Sequence, residues 1–155
     1  MAVDADGPIR AAGGDARQRV RSLALDMSEA RRLVIVVWSC GPDRPGGAVL
    51  AAAPFVYALA ARALDQEVEM HFTSSAVRWL VAGEADAAYT DRARSKTVRD
   101  FIREAHAAGV KLYACAMARH EHARDETLVD EIEGIAGAAT VVDAGAEPDA
   151  RVMIF

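Results

Sequence analysis

The sequence holds only two cysteines in 155 residues. A chain of this length buries a proper core without disulfide or metal staples, so neither thiol is needed as scaffolding. A secreted disulfide framework packs more cysteines into a shorter chain, and reduced thiols in the cytoplasm are the expectation. Basic excess is also missing: 23 acidic residues face 18 basic ones, for a formal net charge of -5, which argues against nucleic acid as a partner. No run is long and apolar enough to span a bilayer. The apolar part of the longest uncharged stretch, AVLAAAPFVYALAA from Ala48 to Ala61, falls short of the roughly 20 residues a spanning helix requires and reads as a buried helix, so no membrane association is expected. The first residues, MAVDADGPIRAAGG, lack the basic start and apolar core of a secretory signal. Arg31-Arg32 ahead of LVIVVW is a charged lead-in to a strand, because SCGPDRPGG soon interrupts the apolar run.

Nucleotide and metal signatures are absent as well. SCGPDRPGG has neither G-x-G-x-x-G nor the Lys and Ser/Thr of a P-loop, so it reads as a turn. No C-x-x-C occurs, and Cys115, His120 and His122 at C-x4-H-x-H do not make a zinc signature; no metal or cofactor is expected.

What is present is an alternation of strands and helices. Residues 1–32 read as an N-terminal tail with an appended helix from Ala16 to Arg32, and the domain proper spans 33–155. LVIVVW is continuous and β-branched, as in a strand covered on both faces. After the loop Ser39 to Gly47, a helix is predicted from Ala48 to Leu64, with Pro54 inside it predicting a kink or a loosened first half. EVEMHFT is the second strand, with Val68, Met70 and Phe72 on one face and Glu69 and His71 on the other. Ser74 or Ser75 caps a short helix that stops at Gly83. Thr97 and Asp100 form a capping box for a helix whose Val98, Phe101, Ile102 and Ala105 share a face and which Gly109 ends. A third strand runs from Val110 to Ala114 or Cys115, a helix is predicted over Thr127 to Ile135, and short strands over Thr140 to Val142 and Arg151 to Ile154. The pattern gives an α/β three-layer sandwich, flavodoxin-like in character, with a mainly parallel sheet of about five strands.

In such sheets ligands sit at the carboxyl ends of strands. That rule selects the loops Ser39 to Gly47, Thr73 to Ser75 and Cys115 to His122. Both cysteines fall on them, and they would share a crevice if the first and third strands were neighbours. Each cysteine taken singly reads first as a packed small hydrophobe. A strand-end thiol opening a helix, with Arg119, His120 and His122 near in sequence, also has the ingredients of a lowered pKa, which makes a nucleophilic Cys115 the competing reading. Trp38, Phe72 and Trp79 read as core or subunit interface.

Four stretches in order, LVIVVW with its loop, the Ala-rich helix with Pro54, EVEMHFT, and FIREAHAAGVKLYACAMA, resemble the DsrE/DsrF-like sulfur-relay family over Leu33 to Phe155. The resemblance implies a homo-oligomer, trimer or hexamer, with sulfur donor and acceptor proteins as partners. It also implies a persulfide carried on Cys115, with His120 and Arg119 as candidate electrostatic helpers and Cys40 as a candidate second thiol. One departure from the pattern is AMARHEHARDE after the cysteine, which has Arg119 but no glycine following it. A noncatalytic oligomeric small-ligand-binding module and a redox dithiol protein are the alternative readings.

Overall fold

A computed structural model describes residues 31–155. The predicted tail and appended helix lie almost wholly outside the described residues, and Arg32, placed at the end of that helix, instead opens the first strand. Five strands, β1 (Arg32–Val37), β2 (Glu67–Phe72), β3 (Lys111–Cys115), β4 (Gly134–Ala136) and β5 (Ala150–Ile154), form one sheet in the order β4-β3-β2-β1-β5. All its pairings are parallel. The expected α/β sandwich with a parallel five-stranded sheet is therefore the fold.

One sheet face carries Leu33, Ile35, Val37, Met70, Phe72 and Leu112 into the main core. Against it pack α1 (Gly47–Ala63), a 3-10 helix (Ser74–Leu80) and α2 (Val98–Ala107), through Phe55, Trp79, Leu80, Phe101 and Ile102. Phe55 is wholly buried, with its ring 5.9 Å from that of Phe72 and 5.7 Å from that of Phe101. The opposite face carries Val34, Val36, Glu69, His71 and Tyr113, and α4 (Ala138–Gly145) lies over part of it. A fourth helix, α3 (Ala116–His122), starts directly after Cys115.

Local sequence chemistry explains several boundaries. Thr97 and Asp100 close the expected capping box: Asp100 N-H donates to Thr97 Oγ1 at 3.2 Å and Thr97 N-H donates to Asp100 Oδ2 at 2.9 Å. Gly109, at φ 81°, then ends the chain's run as α2, a conformation an L side chain adopts only with strain. Helix α1 keeps Pro54 buried within its length.

Two predicted elements are replaced. Thr127 to Ile135 is not a helix: Ala82 N-H donates to Thr127 O at 2.9 Å, Val129 N-H to Leu80 O at 2.8 Å and Glu133 N-H to Leu112 O at 2.8 Å. These long-range bonds hold the segment in irregular structure with a turn at Asp130 and Glu131, and its end, Gly134–Ala136, becomes edge strand β4. Thr140 to Val142 belongs to helix α4 rather than to a strand, despite its β-branched residues. The short helix after β2 is of 3-10 type, and its N-cap position is Thr73 rather than Ser74 or Ser75.

Candidate functional site

The parallel register builds the site row by row. Val36 pairs with His71, His71 with Tyr113, and Tyr113 with Gly134, so these positions share a row across β1 to β4. Side chains alternate along a strand, and the next row on the same face brings Thr73 beside Cys115, which pairs with Ala136. Above this row a cavity of about 200 Å³ opens. Its sheet side is His71, Thr73, Cys115 and Val36. Its helix side is the start of α4 with Val141, and its rim holds Trp38 and Val142, which are 55% and 72% exposed.

Cys115 ends β3 and occupies the N-cap position of α3, half-buried. Desolvation alone would push its thiol up. The N-H of Ala118, the hydroxyl of Thr73 and the N-H of Met117 work against that burial, and the net effect is a pKa below the ordinary thiol value. None of these contacts is a well-aligned helix cap bond. Together they favour the thiolate in a site that remains accessible.

His71 is 3% exposed and its ring stacks on Tyr113 at 5.0 Å. Its Nε2 lies 3.2 Å from Oε1 of Glu69, itself 5% exposed, yet neither atom finds a well-aligned hydrogen bond. Nη2 of Arg32 stands 3.7 Å from the other Glu69 oxygen and supplies a counter-charge. His71, which lines the cavity, is thus half of a buried pair with Glu69.

The other sequence candidates lie elsewhere. Cys40 is 2% exposed and belongs to the main core, where burial pushes its thiol up. Its carbonyl accepts from Trp79 Nε1 at 2.6 Å. Strand β2 separates β1 from β3, so the condition for a shared crevice is not met: the two strand ends stand roughly 9–10 Å apart. Both thiols are free. Arg119 lines a different depression, with Arg124, Glu126 and Leu128, and its buried Nε has no hydrogen-bond partner. His120 is exposed and its Nε2 contacts Nη2 of Arg124. Neither lines the Cys115 cavity. Among the described residues, no group of three or more His, Cys, Asp and Glu side chains could hold a metal ion, and no helix is long and apolar enough to cross a membrane. Phe72 and Trp79 are core as expected, whereas Trp38 stands at the cavity rim.

Sequence reasoning missed Thr73, although the strand-end rule had selected its loop. It also missed Val141 and Val142, because they had been placed on a strand.

Comparison with known proteins agrees with this architecture. The crystal structure of ychN protein from E. coli superposes with a TM-score of 0.63 at 16% identity, covering 81% of this chain and 99% of that one, a likeness of fold. No curated protein sequence matches. Residues 42–153 match the DsrE/DsrF-like family, which is associated with sulfur relay. With most of the chain inside that match, the protein belongs to the DsrE/DsrF-like family.

Proposed function

We propose that the protein is a cytoplasmic sulfur carrier that holds a persulfide on Cys115. The observation that carries this reading is the environment of that sulfur: accessible, at a strand end, and tuned toward the thiolate by Ala118, Thr73 and Met117. The thiolate attacks the outer sulfur of a donor persulfide, the donor S-S bond breaks, and the donor leaves as its thiolate. An acceptor thiolate then takes the outer sulfur by the same exchange in reverse. Sulfur-donor and sulfur-acceptor proteins are the partners of this cycle.

Self-association belongs to the same reading. Helix α1 is apolar all round, and no charged residue occurs between Gly47 and Ala61. Val49, Leu50, Val56 and Tyr57 are each about half exposed on its outer side, with exposures of 57%, 54%, 53% and 50%. A helix with this pattern normally has apolar partners on every side. A homo-oligomer, trimer or hexamer, would cover that face.

The test is intact-mass measurement after incubation with a persulfide donor. The native chain is expected to gain one sulfur, and Cys115→Ser none. Absence of any gain on Cys115 with several donors would sink the carrier reading. The cavity favours a second reading, a noncatalytic small-ligand module in which Cys115 is wall; slow alkylation of Cys115 at every pH would favour it.

A further inference from the structure

Resting on the carrier reading, we propose that the cavity over Cys115 is a binding site for an uncharged, low-molecular-weight sulfane-sulfur compound with an apolar body, anchored at its polar end by His71. Three independent features define that ligand. The first is size. The cavity measures about 200 Å³, and a dry cavity of roughly 150 Å³ already accommodates benzene. The occupant is therefore a benzene-sized body with a small substituent.

The second feature is charge. No Lys, Arg, Asp or Glu lines the cavity. An ionised ligand would lose its hydration with no side chain to replace it. Anions such as thiosulfate would also meet the Cys115 thiolate. The third feature is the anchor. His71 lines the cavity, is 3% exposed, and its Nε2 has no well-aligned partner despite Glu69 3.2 Å away. His71, with Thr73, is the polar part of an otherwise largely apolar lining, which suits a ligand carrying a hydrogen-bonding group.

For a donor R-S-SH, taken up in its neutral protonated form, the step balances without an external oxidant or reductant. The Cys115 thiolate bonds to the outer sulfur, the R-S bond to that sulfur breaks, and R-S⁻ departs and is protonated by solvent. The products are Cys115-S-SH and R-SH. The apolar group R stays against Val36 and Val141 during the exchange.

The experiment measures modification of Cys115, in a Cys40→Ala background, by three methanethiosulfonates that share a reactive group: benzyl, sulfonatoethyl and trimethylammonioethyl. Each rate is divided by that of a free small-molecule thiol. The benzyl reagent is expected to lead both charged ones by at least about tenfold. Val142→Glu and Val142→Lys put a charge at the exposed rim; His71→Gln, which keeps a polar group while removing the imidazole, is expected to cut the sulfur gain from benzyl hydropersulfide by about threefold or more, and an unchanged gain would overturn the anchor. Either rim charge is expected to reduce the benzyl preference by about fivefold or more. Equal normalised rates for the three reagents, or rim charges without effect, would overturn the proposal. A persulfide gain on Cys115 is scored separately, with benzyl hydropersulfide against glutathione persulfide. Benzyl selectivity with no gain from either donor would sink the carrier reading and leave the apolar site standing. A gain from glutathione persulfide equal to that from benzyl hydropersulfide would overturn the site while keeping the carrier.

Discussion

Thr73, the residue after β2, turns its hydroxyl to the sulfur of Cys115 at the end of β3. Parallel pairing of the two strands makes the approach unavoidable, because Phe72 is in register with Ala114 and the next pair is Thr73 with Cys115. Thr73→Val keeps the branched shape and removes the donor. The thiol pKa is expected to rise, since a hydrogen bond that favoured the charged form is lost. Alkylation of Cys115 near neutral pH should slow by about threefold or more. A pH-rate profile with iodoacetamide checks this; an unchanged midpoint would mean that the amides of Ala118 and Met117 alone set the thiolate.

The two thiols should affect alkaline stability with opposite signs. Burial raises the Cys40 pKa, so its contribution is full below the ordinary thiol value and is lost as pH rises toward the raised one. Cys115 has a lowered pKa, so its contribution is present above the ordinary value and is lost as pH falls through the lowered one. Urea midpoints of reduced protein from about pH 7 to 10 should therefore diverge. Relative to the native chain, Cys40→Ala is expected to gain with rising pH, after costing about 1 kcal/mol at neutrality. Cys115→Ser is expected to lose. Parallel curves for the two variants would contradict both assignments.

Elements defined by local chemistry were legible in the sequence. The alternation in EVEMHFT placed Glu69 and His71 opposite Met70 and Phe72, and the Thr97 and Asp100 box marked the start of α2. What could not be read depends on distant partners. Leu128, Ile132 and Ile135 imitate a helical stripe, but the backbone of their segment bonds to Ala82, Leu80 and Leu112. Strand order is likewise a long-range choice, and it separated Cys40 from Cys115. Arg119 and His120 are near Cys115 in sequence, but α3 carries them roughly 6–7.5 Å along its axis and into other surroundings.

Gly47 opens α1 where the chain presses on its own loop. A Cβ there would lie 2.0 Å from the carbonyl oxygen of Gly41, which is backbone and cannot swing aside. Gly47→Ala is expected to cost at least about 2 kcal/mol, by forcing the Cys40 loop and the helix apart. Gly134 in β4 is the control, because nothing lies within 4 Å of a Cβ built on it. Gly134→Ala should stay within about 0.5 kcal/mol of the native chain. Chemical denaturation of both variants checks the contrast, and equal midpoints would mean that the loop yields more readily than its packing indicates.

The apolar outer side of α1 gives the assembly prediction. Leu50 and Tyr57 lie seven positions apart, two turns along one side of the helix, and the Tyr57 ring reaches Phe155 at 5.4 Å. Both are about half exposed, at 54% and 50%, so charging them perturbs little within the subunit. A Leu50→Glu, Tyr57→Glu double variant would set two carboxylates into each copy of a shared apolar contact, at the cost of burying them unpaired. Sedimentation velocity should then report an oligomer for the native chain and a monomer for the variant, with matching circular dichroism. Persulfide loading of Cys115 should survive in that monomer, because the chamber is built from β1, β2, β3 and α4 of one chain. A monomeric native protein, or a charged variant that still assembles, would show that α1 is not the contact surface.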